Sequence, residues 1–179
     1  MWSEEAYQKA LIFAVNAHKD QKVKGKNYPY IVHIFNVCIE VISAVIKSNV
    51  KNPDIAIQCA LLHDTIEDTD TTYNNIYELF GEKVADGIMA LTKNKKLAKR
   101  YQIIDSINRI IKEPEDVGLV KLADRIVNLQ EPPSHWTLSK IKEYREDSIL
   151  IYDNLKQCNK YLAKRLYKKI KEYSKYINA

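Results

Sequence analysis

An otherwise apolar run ends in a cluster of side chains able to do chemistry: in CALLHDTIEDTD, Cys59 to Leu62 lead into His63, Asp64, Glu67 and Asp68. Successive residues of an α-helix lie ~100° apart, so His63 and Glu67 share one face and Asp64 and Asp68 the adjacent one. Carboxylates buried without a partner are costly, and a bound cation removes that cost. A second apolar segment, VKLADRIVNL, carries Asp124 among Leu122, Ala123, Ile126 and Val127, with Asn128 one turn on. Taken singly, Asp124 is served equally well by pairing with Arg125 or Lys121. His33, in PYIVHIFNV, stands alone on an apolar face, where a hydrogen-bonded core histidine is the ordinary occupant. Taken together, two imidazoles and two carboxylates on separate buried helices make a mixed N/O donor set suited to Mn²⁺, Fe²⁺ or Zn²⁺. Such a cation brings bound water toward neutrality and neutralises phosphoryl oxygens. Glu67 and Asp68, not needed as ligands, are then free to act as general base or acid.

Hydrophobic spacing predicts the elements that must hold these groups. A first helix runs from Ser3, a cap, to about Lys19, with Ala6, Ala10, Phe13, Ala14 and Ala17 on one side. DQKVKGKNYP is a polar loop, and a second helix covers Tyr30 to about Lys47. Asn52-Pro53-Asp54 reads as a helix start with Asn52 as the cap, and IAIQCALLHD after it is apolar enough to be buried on most sides. Thr72 opens a short helix ending at Gly81, and another reaches Leu91. KNKKLAKRYQIIDSINRIIK supplies one more, Pro114 interrupts before GLVKLADRIVNL, and EPPSHW forms a rigid loop. Two helices follow, one from about Ser139 and a basic one over about 156–177, striped by Leu155, Cys158, Leu162, Leu166, Ile170, Tyr173 and Ile177. The expectation is an all-α bundle of about eight or nine helices around a buried metal site, with 1–179 as one domain.

Composition agrees. Only 4 Gly and 5 Pro in 179 residues are too few for a sandwich or barrel, which needs frequent turns. The net charge of +5 is mild, and the lysines of the last helix lie mostly off its apolar stripe, as on a solvated face. Neither nucleic acid nor a membrane is therefore expected as a partner. Cys38, Cys59 and Cys158 form no CxxC pair, and the first two sit among apolar neighbours, as reduced buried cysteines do. Glu4 and Glu5 stand where a signal peptide would be basic, so a cytoplasmic location is expected.

The motifs PYIVH, ALLHDTIEDTDTT, YELFGEKVADGIMALT and KLADRIVNL, in this order over about residues 5–150, resemble the HD-superfamily hydrolase domain of RelA/SpoT proteins and small alarmone hydrolases. The resemblance implies one Mn²⁺ bound by His33, His63, Asp64 and Asp124, with Glu67 and Asp68 handling water activation and proton transfer. It also implies that Asn128 contacts the ribose. Lys24, Lys95 and Lys99 match basic positions, and Tyr144 matches a tyrosine able to face the nucleotide. His18 belongs to the same pattern as a support residue, while His135 beside Trp136 reads as structural. With only four histidines, ligands for a second metal are hard to find. The implied reaction removes the 3′-pyrophosphate of (p)ppGpp, giving GDP or GTP. Alternatives are a phosphohydrolase of another nucleotide, such as ppApp or NADPH, or an inactive nucleotide-sensing module.

The chain departs from its relatives in the first loop. They show Gln-x-Arg-Lys, their arginine packing on the base, whereas this chain reads Gln21-Lys22-Val23-Lys24. Valine lacks the planar guanidinium that stacks on a base. Guanine should therefore be only weakly preferred over adenine.

Overall fold

Helix α3 (Pro53–Leu62) lies at the centre because nothing on it needs water: Ala56, Ile57, Cys59, Ala60, Leu61 and Leu62 are all buried. In the computed structural model, which describes residues 2–177, α3 packs against α1 (Glu4–Ala17), α2 (Ile31–Lys47), α6 (Glu82–Leu91) and α8 (Glu115–Asn128). The remaining helices are α4 (Thr65–Asp68), α5 (Tyr73–Phe80), α7 (Lys99–Ile110), α9 (Leu138–Leu155) and α10 (Lys160–Tyr173), followed by a 3₁₀ turn. Among the described residues the only β-pairing is an isolated bridge between Lys22 and Pro29. The all-α expectation holds: α4 is a single turn, and nine longer helices accompany it. Among the described residues no helix is long and apolar enough to cross a membrane.

Local chemistry sets the boundaries. Ser3 accepts from the Ala6 N–H, and Thr72 and Asn75 form a reciprocal capping box at α5. Gly81, at φ 83°, turns the chain from α5 into α6. Asn52 does not cap α3 as expected. Its backbone and side-chain N–H groups instead donate to the two oxygens of buried Asp116, tying the start of α3 to α8. Residues 93–98 do not join α7, which begins only at Lys99.

Helix α8 is the second buried element, covered by α2, α3, α6, α9 and α10. Two glycines permit this packing. A Cβ on Gly87 of α6 would lie 2.9 Å from a Val117 methyl and 3.0 Å from the Cys59 sulfur. One on Gly118 of α8 would lie 2.4 Å from the Cys158 sulfur. The apolar stripe of the last segment is used as anticipated, with Leu155, Leu162, Leu166, Ile170 and Tyr173 all buried. The stripe spans a break at residues 156–159, where Asn159 caps α10.

Candidate metal centre

The helix expected to run through His63 and Asp64 breaks there. α3 ends at Leu62, Asp64 relaxes to φ −102°, ψ −1°, and α4 restarts at Thr65. Thr65 stabilises the break by donating its hydroxyl to the Leu62 carbonyl at 2.7 Å. The break lets adjacent residues aim at one point: His63 Nε2 lies 2.9 Å from Asp64 Oδ2. His33, from the first turn of α2, brings its Nε2 to 3.4 Å from His63 Nε2 and 3.6 Å from Asp64 Oδ2. From α8, Asp124 Oδ1 closes the group at 3.5 Å from His33 Nε2 and 3.8 Å from His63 Nε2. The four side chains anticipated as ligands thus converge from α2, α8 and the α3–α4 break.

Their surroundings prepare them for a cation. His63 Nδ1 lies 2.9 Å from the Ala60 carbonyl, an acceptor only, so Nδ1 carries a hydrogen, and Nε2 is the nitrogen left to face the cluster, as a donor to Asp64 when protonated and as a lone pair for a cation when not. Tyr30 donates its hydroxyl to Asp64 Oδ2 at 2.5 Å. The Tyr30 ring packs between His33, at 5.2 Å between centroids, and His18, at 5.0 Å. His18 is buried behind it, held by Gln21 at 2.6 Å, in the supporting place expected of it. Asn128 donates its amide to Asp124 Oδ1, and the buried Lys121 ammonium lies 3.8 Å from Asp124 Oδ2. One ion pair anticipated for Asp124 therefore coexists with its place in the cluster.

The electrostatics report unbalanced charge. Burial opposes protonation of His33, but the carboxylates of Asp124 and Asp64 outweigh it and push the imidazole up to about 9. His63 is likewise raised, burial again being outweighed by Asp64 and Asp124. Burial would raise both aspartates, yet the histidines hold Asp64 well below its ordinary range, and His33 with Lys121 does so for Asp124. Protons here stand in for positive charge that a divalent metal ion would supply. The donor set fits such an ion.

The two acidic residues of α4 diverge. Glu67 is claimed by Lys93, whose ammonium lies 2.8 Å from Oε1 and whose backbone N–H lies 2.9 Å from Oε2. Asp68 faces a cavity of about 730 Å³ that opens over His33. Burial, then the charges of Asp64 and Glu67, push its carboxyl above the ordinary range.

Several anticipated substrate contacts meet in that cavity: Lys24, Asn128 and Tyr144 line it, together with Val23. Lys95 and Lys99 do not. Lys95 reaches the Glu67 carbonyl and lies 3.9 Å from Asp68, whereas Lys99 opens α7 on an exposed surface. His135, read as structural, is an exposed residue of the cavity wall. Tyr30, Lys93 and Trp136 were not anticipated. The tyrosine sits within the quoted PYIVH motif, but only the fold shows its hydroxyl meeting Asp64.

Comparison with known proteins agrees with this geometry. Residues 10–159 match the HD domain family model. Over 160 residues the chain is 31% identical to the guanosine-3′,5′-bis(diphosphate) 3′-pyrophosphohydrolase MESH1 of zebrafish (Danio rerio), covering 86% of each chain. The human (Homo sapiens) protein of that name is also 31% identical, covering 86% of this chain and 87% of its own. The solved structure of a metazoan ortholog of SpoT, described as hydrolysing ppGpp, matches with a TM-score of 0.82 and 26% identity, over 96% of this chain and 97% of the other. The His-Asp cluster, the helices that converge on it and the match along most of the sequence have one reading: the chain belongs to the HD-domain family, beside the MESH1 and SpoT-type proteins.

Proposed function

We propose that this protein is a metal-dependent phosphohydrolase that removes the 3′-pyrophosphate of guanosine (p)ppGpp-type alarmones, yielding GDP or GTP. The observation that carries this reading is the convergence of His33, His63, Asp64 and Asp124 beneath a cavity lined by lysines and aromatic rings. Its relatives, similar over most of the chain, carry the name of that activity. The four residues would hold one Mn²⁺, with Fe²⁺ and Zn²⁺ as chemically close substitutes, since two imidazoles and two carboxylates serve all three. When bound, the ion supplies an acidified water and positive charge toward phosphoryl oxygens.

The remaining work falls to the chain's own groups. Lys24, with Lys22 and Lys26 of the same loop, offers cationic charge to phosphates entering the cavity. Asn128, oriented by Asp124, presents its amide where a ribose would lie above the ligand cluster. Hydrolysis requires one proton to leave the attacking water and one to reach the departing 3′ oxygen. Asp68, facing the cavity, carries a proton from the one to the other, and its carboxyl, raised by partial desolvation and by Asp64 and Glu67, holds a proton to higher pH than an isolated aspartate would. Glu67 acts through Lys93, holding a cation beside the site. Tyr144 closes the wall, and Lys95 and Lys99 contribute field at longer range.

A second reading concerns the base alone. Val23 lines the cavity without a planar cation, so ppApp or NADPH could also be accepted. Cys38 and Cys59, whose thiols burial pushes up to about 12, suit a reducing cytoplasm. The decisive experiment incubates Mn²⁺-loaded protein with ppGpp, ppApp and NADPH and identifies products by chromatography. Pyrophosphate and GDP from ppGpp are expected, and their absence overturns the reading.

A further inference from the structure

Removing the arginine at position 23 leaves the cavity without its expected base platform, but not without flat surfaces. Tyr28, Tyr30, Tyr144 and Trp136 all line it. Tyr30 is committed: its hydroxyl goes to Asp64, and its ring packs against His18 and His33. Tyr144 is committed too. The Arg125 guanidinium carbon lies 4.4 Å from its ring centroid, and Trp136 and Tyr173 pack at 5.2 and 6.1 Å. Tyr28 is exposed, on the polar loop that is closed by the Lys22–Pro29 bridge.

Trp136 differs from all three. Its only aromatic neighbour among the described residues is Tyr144, met at an interplanar angle of 67°. An edge-on contact of this kind covers at most one face of the indole. The loop that carries the ring is fixed, because Pro132 and Pro133 stiffen it and the Trp136 backbone N–H donates to the Pro133 carbonyl at 2.9 Å. Tyr144, against which it rests, is backed by Arg125, one residue along α8 from Asp124. The indole is thus tied, through Tyr144 of α9 and Arg125, to α8, the helix that carries Asp124.

We infer that Trp136 is the nucleobase platform of this protein, stacking a purine in the part of the cavity away from the metal ligands. The inference rests on a nucleotide entering this cavity, as proposed above. Stacking reads the π face common to all bases, so it supplies affinity without telling guanine from adenine. Trp136 therefore replaces the binding contribution of the absent arginine.

Intrinsic fluorescence tests this directly, because Trp2 and Trp136 are the only tryptophans. Trp2 packs on Tyr7 at the other end of the chain, so Trp2→Phe isolates the signal of Trp136. Metal-free Trp2→Phe protein titrated with GDP or ppGpp should lose saturably much of its emission, while ribose 5-phosphate and pyrophosphate should not quench it. In steady state with Mn²⁺ and ppGpp, Trp136→Leu should raise KM about 5- to 150-fold, equivalent to about 1–3 kcal/mol of stacking, with kcat little changed. Trp136→Phe should recover most of that loss. Unquenched emission at saturating nucleotide overturns the inference, even if ppGpp is hydrolysed. So does a KM that responds to Tyr28→Ala and not to Trp136→Leu. Quenching by GDP without hydrolysis of ppGpp would instead remove the proposed reaction and leave the platform standing.

Discussion

Both carboxylate oxygens of Glu67 are bound by one residue, Lys93, through its ammonium and its backbone N–H. Asp68, its neighbour in sequence, faces the cavity. The acidic pair that looks equivalent in TIEDT is therefore divided: one carboxylate holds a lysine, and the other is left facing the cavity.

Asp68→Asn should lower kcat by about 10²–10⁴-fold, the usual contribution of a general acid or base, with metal still bound. Glu67→Gln keeps one acceptor for Lys93 but removes the charge. It should lower stability by about 1–2 kcal/mol, or roughly 2–8 °C in Tm, as well as activity. Metal analysis, turnover and thermal melts on the two variants separate these roles. Loss of metal from Asp68→Asn would move that residue among the ligands.

His63→Ala or Asp124→Ala should abolish both metal content after dialysis and activity, since each removes one of four donors. Chelation should stop turnover of the native protein, and Mn²⁺ should restore it best. Either variant retaining native metal stoichiometry and turnover would remove the proposed centre.

Tyr30→Phe deletes the hydroxyl that orients Asp64 and leaves the ring packing in place. Outer partners of metal ligands typically carry 10- to 100-fold in affinity or activity. A competitive chelator titration should show metal affinity falling by about that factor. An unchanged affinity would mean that Asp64 needs no such support.

The charge state of His33 gives the metal-free protein an unusual pH profile. Its imidazole rises from an ordinary 6.5 to about 9 in the fold. A group raised by folding stabilises fully below its unfolded pKa, and the benefit disappears as pH climbs through the folded value. Metal-free Tm should accordingly decline between about pH 6.5 and 9, with His63 contributing in the same direction. On the acid side, Asp64 and Asp124 are depressed below 3.8, so stability should fall again as they protonate. Metal requires deprotonated imidazoles, so metal affinity should rise with pH over the window in which the metal-free protein weakens. A flat metal-free Tm from pH 6.5 to 9 would contradict the ion-paired cluster.

Val23→Arg should lower KM for ppGpp and leave kcat little changed, as expected of ground-state binding. The native protein should prefer ppGpp over ppApp only weakly. A thousand-fold preference would mean that some other group reads the base edge.

How much of this was legible depended on distance along the chain. His33, His63, Asp64 and Asp124 could be named because each breaks an apolar run and together they match a motif series. Ser3 as a cap and Thr72 as the opening residue of α5 are legible because helix starts are local events within a few residues. The break at His63-Asp64 was not, since a kink leaves hydrophobic spacing unchanged on either side. Asn52 looked like a cap because its true partner, Asp116, lies far away in sequence. Lys93 was absorbed into an expected helix for the same reason: Glu67 holds it from another segment. Trp136 and His135 were read together as a rigid loop, whose exposure on the cavity wall only the packing of α8 against α9 reveals.

Gly118 lines no part of the cavity, yet it sets how closely the end of the chain can approach α8. The tail of α9 and the residues leading into α10 press on the α8 backbone so closely that a methyl at 118 would meet the Cys158 sulfur. Less than two turns further along that helix stands Asp124, with Asn128 about one turn beyond it. A bulkier side chain at 118 or 158, in positions that hold none of the candidate ligands, would therefore be transmitted along α8 as a displacement of Asp124. A contact between a glycine and a cysteine that line no part of the cavity thus bears on where that carboxylate stands.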